Sequence, residues 1–598
     1  MNTLELAAIG NCSIAGLIDG KADLIWMCFP RLDADPVFCR LLNDGPAGNG
    51  ATVDGRFAIE LLDMVKCEQS YLDNTAIFVS VLTDEKGNSV EITDFAPRFQ
   101  QFERTFRPPT LVRRVTPLTG QPRIRVHISP TFDWGSVKPK ITIGSNHLRY
   151  IGPAQTLRLT TDASVSYVNE SKPFVVKRPI SFIFGEDEAL PADIEQTSRS
   201  FLERTTLYWR NWVRSLSIPF EWQGAVIRAA ITLKLCNYEE TGAIVAALTT
   251  SVPEAPHTQR NWDYRYCWLR DAYFVIHALN SLGVTRTMED YISFIENVVE
   301  DSGLDGLQPL YGITRSAVLE EEIAPALLGY RGFGPVRVGN AAYSQRQYDV
   351  YGSIVLAATH SFFDQRLNRS GLASLYTNLE RLGTAAARMY DKPDAGPWEL
   401  RTRSAIHTFS SIMCWAACDR LAKIAVTLDR PDRSAHWREV ADRMHQQITT
   451  HAWDSQLNSF VATYDGHDLD ASLLLLHVLD FLPARDPRFV ATVEAIGRVL
   501  KKGDLLLRYA SEDDFGRPST AFVICTFWYI DALHAIGRKD EARAMFDHLL
   551  GLRNRFGLFS EDVDLETGEL WGNFPQTYSM VGLINSAMRL SISWDDAF

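Results

Sequence analysis

The feature that most constrains the fold is a regular alternation of short and long connections between amphipathic segments. From about residue 222 onward, apolar residues recur at helical spacing in twelve segments. Their approximate spans are 222–248, 270–283, 285–302, 344–364, 370–390, 407–428, 432–453, 471–481, 486–502, 518–538, 539–553 and 575–594. Each even-to-odd join is a few residues at most, whereas each odd-to-even join is roughly fifteen residues or longer. If the helices run up and down in sequence, all the long connections lie at one end.

This alternation predicts a closed double ring of six inner and six outer helices, the (α/α)6 toroid. A helical-repeat solenoid is the competing architecture. No common motif recurs from one helical pair to the next, which favours the toroid. The end that carries the long loops is where we expect a site.

The N-terminal third has a different texture. Short β-prone runs, such as 76–82 and 90–95, are separated by turn residues such as Glu85-Lys86-Gly87-Asn88 at hairpin spacing. They predict an antiparallel β-sandwich. The predicted division is therefore a β-sandwich domain over 1–190, a linker helix over 191–221 and a helical catalytic barrel over 222–598.

Composition and charge restrict the partners. The formal net charge of -13 disfavours nucleic acid and anionic membrane surfaces, because both require clustered Lys and Arg. No apolar stretch approaches the roughly 20 residues of a membrane-spanning helix, and the first residues show no secretory signal. We expect a small neutral substrate and a cytoplasmic location, with the oligomeric state left open.

The nine cysteines are scattered along the chain and odd in number. They predict buried free thiols and a reducing compartment. Cys414 and Cys418 lie one helical turn apart, but no nearby set of His and Cys completes a zinc site. We expect neither a metal nor an organic cofactor.

The first long loop, residues 260–271, is rich in aromatic and charged side chains. Aromatic faces stack on pyranose rings, and charged groups bind sugar hydroxyls. An Arg-Asp pair at a helix start is ordinarily a cap and its salt-bridge partner, but the aromatic density here favours a sugar subsite. The candidate substrate-binding residues of this loop are Tyr264, Tyr266, Trp268, Arg270 and Asp271.

Two later loops each offer a candidate catalytic acid. Glu399 directly follows Trp398, and a carboxyl held against an aromatic ring has its pKa raised, as a general acid requires. Glu561 lies in an acidic run whose spacing does not match a calcium loop; it is a candidate base, with Tyr264 as a hydrogen-bond donor to it. A solvated loop carboxylate is the alternative for each. The loop before the tenth helix adds Arg508 and Tyr509, for which structural salt bridging is the alternative.

Four short motifs occur in order in the odd-to-even loops. They are Trp268-Leu269-Arg270-Asp271, Trp398-Glu399, Arg508-Tyr509 and Ser560-Glu561. With these motifs the chain resembles glycoside hydrolase family 15, which includes glucoamylases, glucodextranases and prokaryotic trehalases. The likeness extends over nearly the whole chain, including the N-terminal stretch from Trp26 to Asp33. It implies an N-terminal β-supersandwich, a linker and an (α/α)6 barrel.

The resemblance also implies roles for individual residues. Glu399 falls on the position of the general acid and Glu561 on that of the general base of an inverting enzyme that releases β-glucose. For that mechanism the two carboxyl groups should lie about 6.5 to 9.5 Å apart. The residues on positions that bind the nonreducing glucose are Arg270, Asp271, Trp398 and Arg508.

One departure from the family concerns the substrate. Fungal glucoamylases carry a second acid directly after the catalytic one, where this chain has Leu400 followed by Arg401. We therefore expect a short α-glucoside, of the trehalose or isomaltose type, rather than a starch-like polymer. The alternatives are an enzyme acting on longer α-glucans and a non-catalytic sugar-binding protein of the same fold, which the presence of both acids disfavours. Other toroid enzymes, such as terpene cyclases, predict different markers.

Overall fold

Two antiparallel sheets form the N-terminal part of the protein in the computed structural model, which describes residues 3–43, 54–190, 192–303, 306–367 and 370–598. The strands are β1 (Ala7–Gly10), β2 (Ala15–Ile18), β3 (Leu24–Cys28), β4 (Pro36–Phe38), β5 (Phe57–Leu61), β6 (Met64–Tyr71), β7 (Phe78–Asp84), β8 (Ser89–Phe95), β9 (Phe99–Gln101), β10 (Arg104–Phe106), β11 (Thr110–Thr119), β12 (Arg123–Ile128), β13 (Lys140–Ile143), β14 (His147–Ile151), β15 (Thr156–Thr161), β16 (Phe174–Val175) and β17 (Ile180–Glu186). One sheet has the order β1-β2-β3-β5-β12-β16, with β4 paired to β3. The other has the order β13-β14-β15-β17-β11-β8-β7-β6, and β9 and β10 form a separate hairpin.

The two sheets enclose an apolar core because their strands alternate buried and more exposed residues. In β7, Phe78, Ser80 and Leu82 are buried, whereas Val79 and Val81 are only partly so. Strand β12 follows the same pattern. A slip of one residue would turn each buried set outward, so the pattern fixes the register of these pairs. The predicted antiparallel β-sandwich is confirmed.

A long helix follows the sheets. Helix α1 (Val165–Asn169) is a single short element, and α2 (Ile194–Arg214) corresponds to the predicted linker helix. The Asp193 side chain accepts a hydrogen bond from the Gln196 N–H and so caps α2. Residue 191, where the predicted linker begins, lies outside the described residues. The division at 190 and 221 stays a prediction.

All twelve predicted helical segments of the barrel are present in the described residues, eleven as α-helices and one as a short 3-10 helix. They are α3 (Gln223–Leu235), α4 (Leu269–Ser281), α5 (Thr285–Ser302), α6 (Asp349–Phe363), α7 (Leu372–Met389), α8 (Thr408–Thr427), α9 (Pro431–Ala452), the 3-10 helix Ala471–Leu476, α10 (Pro487–Leu500), α11 (Val523–Ala535), α12 (Lys539–Gly551) and α13 (Thr577–Leu590). Contacts close an inner ring in the order α4, α6, α8, the 3-10 helix, α11, α13 and back to α4. The other six helices pack outside it, so the fold is the (α/α)6 toroid.

Two helix boundaries were predicted wrongly. The first barrel helix ends at Leu235 rather than near 248, because a turn at Gly242, with φ +87°, lets the chain pair Asn237–Tyr238 with Ala243–Ile244 as strands. The eighth segment is reduced to the 3-10 helix Ala471–Leu476, followed by turns. The joins 364–371 and 477–486 are also longer than predicted.

Short strands and 3-10 turns brace the long loops. The strands are Asn237–Tyr238, Ala243–Ile244, Cys267–Trp268, Leu310–Tyr311, Glu322–Ile323, Arg337–Val338, Trp453–Asp454, Ser459–Phe460, Lys501–Lys502, Leu505–Leu506, Thr520–Phe522, Asp562–Asp564 and Leu570–Trp571. The remaining 3-10 turns are Arg40–Leu42, Ala341–Ser344 and Asp595–Ala597. All nine cysteines carry free thiols, and all but Cys67 are buried. Within the described ranges, no helix combines the length and apolar character needed to cross a membrane.

Candidate active site

The long loops surround one pocket at an end of the barrel. It holds about 970 Å³ of empty space, including its open mouth. Nine predicted site residues line it: Tyr264, Trp268, Arg270, Asp271, Trp398, Glu399, Arg508, Tyr509 and Glu561. The chain thus brings together residues that are up to about three hundred positions apart in the sequence.

Glu399 occupies a strained turn in the wall of this pocket. Its φ is +62°, a left-handed conformation that costs a non-glycine residue about 1–2 kcal/mol. The Trp268 indole N–H donates to Glu399 Oε1 at 2.6 Å, and Arg270 Nη2 lies 3.4 Å from the same oxygen. Among the described residues both donors reach Oε1, so Oε2 remains available to a ligand.

Trp398 forms a rigid wall beside the acid instead of contacting it through its N–H. Its indole N–H donates to Asp470 Oδ2 at 2.6 Å. The ring centroid lies 6.1 Å from that of Tyr509, 5.6 Å from that of Phe522 and 6.3 Å from that of Trp528. This aromatic cluster presents a fixed apolar surface to the pocket.

Glu561 is held by its backbone, directly before the central strand Asp562–Asp564 of a three-stranded sheet. Its carbonyl accepts from the Val523 N–H at 2.9 Å, and the Ser579 hydroxyl donates to the carbonyl of the preceding Ser560 at 2.8 Å. Gly572 packs directly against it: a Cβ added at Gly572 would lie 2.7 Å from Glu561 Cβ. The side chain therefore has little freedom to move.

Burial shapes the electrostatics of Glu561. The side chain is almost wholly inaccessible to solvent, and desolvation raises its pKa well above the usual value. The neighbouring carboxylates Asp562 and Glu254 add to this effect, whereas the Tyr264 hydroxyl and Arg508 oppose it. A carboxylate of raised pKa is a stronger base once it is ionised.

Arg270 and Asp271 lie in the first turn of α4, where they point into the pocket floor. Arg270 Nη1 donates to Asp349 Oδ2 at 3.1 Å and to Gln347 Oε1 at 3.0 Å. Burial raises the pKa of Asp271 to about 7, with Arg270 opposing the shift and Glu399 adding to it. The pair is therefore buried in the pocket rather than serving as a solvated helix cap.

Arg508 and Tyr509 reach the pocket from the loop before α11. Arg508 Nη2 forms an ion pair with Glu254 Oε2 at 2.5 Å, and its guanidinium lies over the rings of Tyr509 and Phe522. The Tyr509 hydroxyl donates to Asp513. These contacts hold both side chains against the pocket wall.

Tyr266 is the predicted site residue that the structure does not bring into the pocket. Its ring packs in an apolar cluster with Ala246, Leu310 and Trp268. Its hydroxyl accepts a hydrogen bond from the Gly339 N–H at 3.1 Å. Tyr266 thus packs beside the pocket without lining it, and its role as a substrate-binding residue stays a prediction.

Several pocket residues were missed by the sequence analysis. Glu254 is buried between Arg508 and the Trp262 indole N–H, 3.1 Å from its Oε1. Tyr578, at the start of α13, has a buried hydroxyl with no partner among the described residues. The prolines that flank Glu254-Ala255 were the only local signal for Glu254, and no local signal marked Tyr578.

The β-sandwich contacts the loop that carries Tyr264. Arg265 is fully buried in an ion pair with Asp263, with Nη2 2.7 Å from Oδ2. Its Nη1 donates to the Ala34 carbonyl of the N-terminal sheets at 2.6 Å, and its guanidinium stacks on Trp134. This contact ties the position of the pocket loop to the N-terminal part of the chain.

The protein is similar over nearly its whole length to known proteins. Residues 222–588 match Glycosyl hydrolases family 15, and residues 3–172 match the family described as Trehalase-like, N-terminal. The chain is 31% identical to a trehalase of Thermoplasma volcanium, with 97% of this chain and 92% of that protein covered. It is also 31% identical to a trehalase of Mycobacterium tuberculosis, with 99% and 90% covered.

A solved structure with a similar fold is a bacterial glucoamylase complexed with acarbose. The TM-score is 0.68 at 13% identity, with 98% of this chain and 94% of the other covered. At the loop end of the (α/α)6 barrel, the pocket holds paired acids among aromatic and arginine side chains. Together with these similarities, this site defines a glycoside hydrolase. Within that class, the chain belongs to glycosyl hydrolases family 15.

Proposed function

We propose that this protein is an inverting, exo-acting α-glucosidase that hydrolyses a short α-glucoside, trehalose before isomaltose-type sugars, and releases β-glucose. The observation that carries the proposal is the placement of Glu399 and Glu561 in the same pocket. The trehalases to which the chain is 31% identical support the choice of trehalose. We also propose a cytoplasmic location for this activity.

In the proposed reaction the nonreducing glucose occupies the pocket floor. Arg270, Asp271 and Arg508 bind its hydroxyls, and the fixed ring of Trp398 packs against the sugar. Because these side chains are already held by Asp349, Glu254 and Asp470, little reorganisation accompanies binding.

The two glutamates act on opposite faces of the sugar. Glu399 donates its proton to the glycosidic oxygen as the bond from that oxygen to C1 breaks. Glu561 removes a proton from the water whose oxygen forms the new bond to C1. One water is consumed, and the configuration at C1 is inverted.

The local contacts suit these roles. The Trp268 N–H and Arg270 bind Glu399 Oε1 and stabilise the carboxylate that forms when the proton leaves. The Tyr264 hydroxyl opposes the rise in the pKa of Glu561, and we expect it to hold this carboxyl toward the attacking water.

A panel of trehalose, isomaltose, kojibiose, nigerose, maltose and a maltodextrin, assayed with purified enzyme, tests the substrate. We expect the highest kcat/KM for trehalose, and a clear preference for the maltodextrin would instead support an enzyme of longer α-glucans.

We expect Glu399→Gln and Glu561→Gln to lower kcat by at least about a hundredfold. Glu566 is an exposed acid in the loop of Glu561, and we expect Glu566→Gln to change kcat little. Unchanged hydrolysis by Glu399→Gln would contradict the role of Glu399 as the general acid.

A further inference from the structure

Arg401 lies at the outer end of the pocket, beyond the acid. Its side chain is 29% exposed, against 20% for Glu399 and 9% for Arg270. Depth in the pocket therefore increases from Arg401 through Glu399 to the floor. We therefore expect a sugar on the leaving-group side of Glu399 to face Arg401.

The guanidinium of Arg401 is held between two loops. Its Nη2 lies 2.7 Å from Glu321 Oε2 and its Nη1 3.2 Å from Oε1, a bidentate ion pair. Glu321 is itself fixed by Arg337, 2.7 Å away, and the two arginines lower its pKa against the effect of burial. A bidentate, partly buried pair of this kind is more rigid than an ordinary surface salt bridge.

The same residue connects two further loops. The Arg401 guanidinium lies 4.6 Å from the ring centroid of Trp262 and 5.7 Å from that of Phe515. Its backbone N–H donates to Asp514 Oδ2 at 2.5 Å. Arg401 therefore contacts three other long loops besides its own.

We propose that Arg401 sets the length of the substrate. Its guanidinium, with the rings of Trp262 and Phe515, binds the second sugar, and its ion pair with Glu321 closes the pocket beyond that sugar. The ion pair occupies two of the five guanidinium N–H donors, which leaves the others for sugar hydroxyls. The site thus accepts a disaccharide and excludes a third unit. This inference rests on the proposed hydrolysis at Glu399.

The test compares Arg401→Ala with Arg403→Ala. Arg403 belongs to the same loop but donates to the Glu512 carbonyl and does not line the pocket. We expect Arg401→Ala to raise kcat/KM for maltotriose and isomaltotriose about tenfold over wild type, and to lower it about tenfold for the preferred disaccharide. Arg403→Ala should leave both values unchanged.

Folding of each variant is checked by its melting temperature. If Arg401→Ala does not fold, Glu321→Gln provides the test, because it removes the charge that holds Arg401 and keeps the side-chain shape; we expect the same gain on trisaccharides, smaller in size. A folded variant whose trisaccharide kcat/KM stays within about twofold of wild type would overturn the inference. A wild-type enzyme that hydrolyses none of the disaccharides would instead contradict the proposed function.

Discussion

Asp271 offers a test in which stability and activity are expected to change in opposite directions. Its carboxyl is buried in the pocket floor beside Arg270, and its pKa is about 7 instead of 3.8. Above about pH 7 the folded protein therefore holds a buried charge, whereas the unfolded chain would expose the same carboxylate to water. Asp271→Asn replaces the carboxylate by a neutral side chain of the same shape, and Arg270 keeps Asp349 and Gln347 as partners.

The magnitude follows from the displaced pKa. Moving it from 3.8 to about 7 corresponds to about 4 kcal/mol between the two protonation states. For an acid of raised pKa, the folded state gains relative stability at low pH and loses it as pH rises from the unfolded pKa through the folded one. We therefore expect Asp271→Asn to stabilise the fold by about 4 kcal/mol at pH 8.5 and by about 2 kcal/mol at pH 5.

Thermal unfolding of both proteins across this pH range, with Glu566→Gln as the exposed control, measures the effect. For a barrel of this size each kcal/mol moves the melting temperature by about 1 to 2 °C, so the variant should melt several degrees above wild type at pH 8.5. Its kcat/KM should fall at least about tenfold, because a charged hydrogen bond to the sugar is lost. A melting difference that does not grow with pH, or a variant less stable at pH 8.5, would refute the reasoning.

Three further substitutions test the supports of the site. Trp268→Phe removes the N–H donor to Glu399 and should lower kcat by about thirtyfold, the equivalent of about 2 kcal/mol; steady-state kinetics showing a change within about twofold would contradict this. Gly572→Ala places a Cβ against Glu561 and should reduce kcat more than it raises KM, whereas Gly503→Ala, with open space around it, should leave the kinetics unchanged. Arg265→Met leaves the buried Asp263 carboxylate without its ion-pair partner and should destabilise the protein by about 3 to 5 kcal/mol. Denaturant unfolding that shows no loss of stability would rule out a structural role for this ion pair.

The sequence predicted the architecture well because loop length is a local property with a global consequence. Short joins such as 282–284, 428–430 and 536–538 force neighbouring helices to reverse direction. The long loops must then gather at one end, which places Glu399 and Glu561 at the same end of the barrel. The helix ends were less predictable: the turn at Gly242 interrupts a segment whose apolar spacing continues the helical pattern.

The details of the site depend on contacts that no local pattern encodes. Glu254 becomes a pocket residue through Arg508, which lies far along the chain. Tyr266 has the same spacing as Tyr264 and Trp268, and in a regular extended segment all three would share one face. The three rings do pack in one apolar cluster, but only Tyr264 and Trp268 line the pocket. The ring of Trp398 is fixed by a hydrogen bond from its N–H to Asp470, which lies far along the chain.

The central claim is that Glu399 and Glu561 carry out a single displacement at C1. Proton NMR of the products of trehalose hydrolysis, recorded before the anomers equilibrate, tests it directly. Inversion at one C1 releases β-glucose from the attacked unit and α-glucose from the leaving unit, so the account predicts equal initial amounts of the two anomers. Initial release of α-glucose alone would show retention of configuration and would contradict the account.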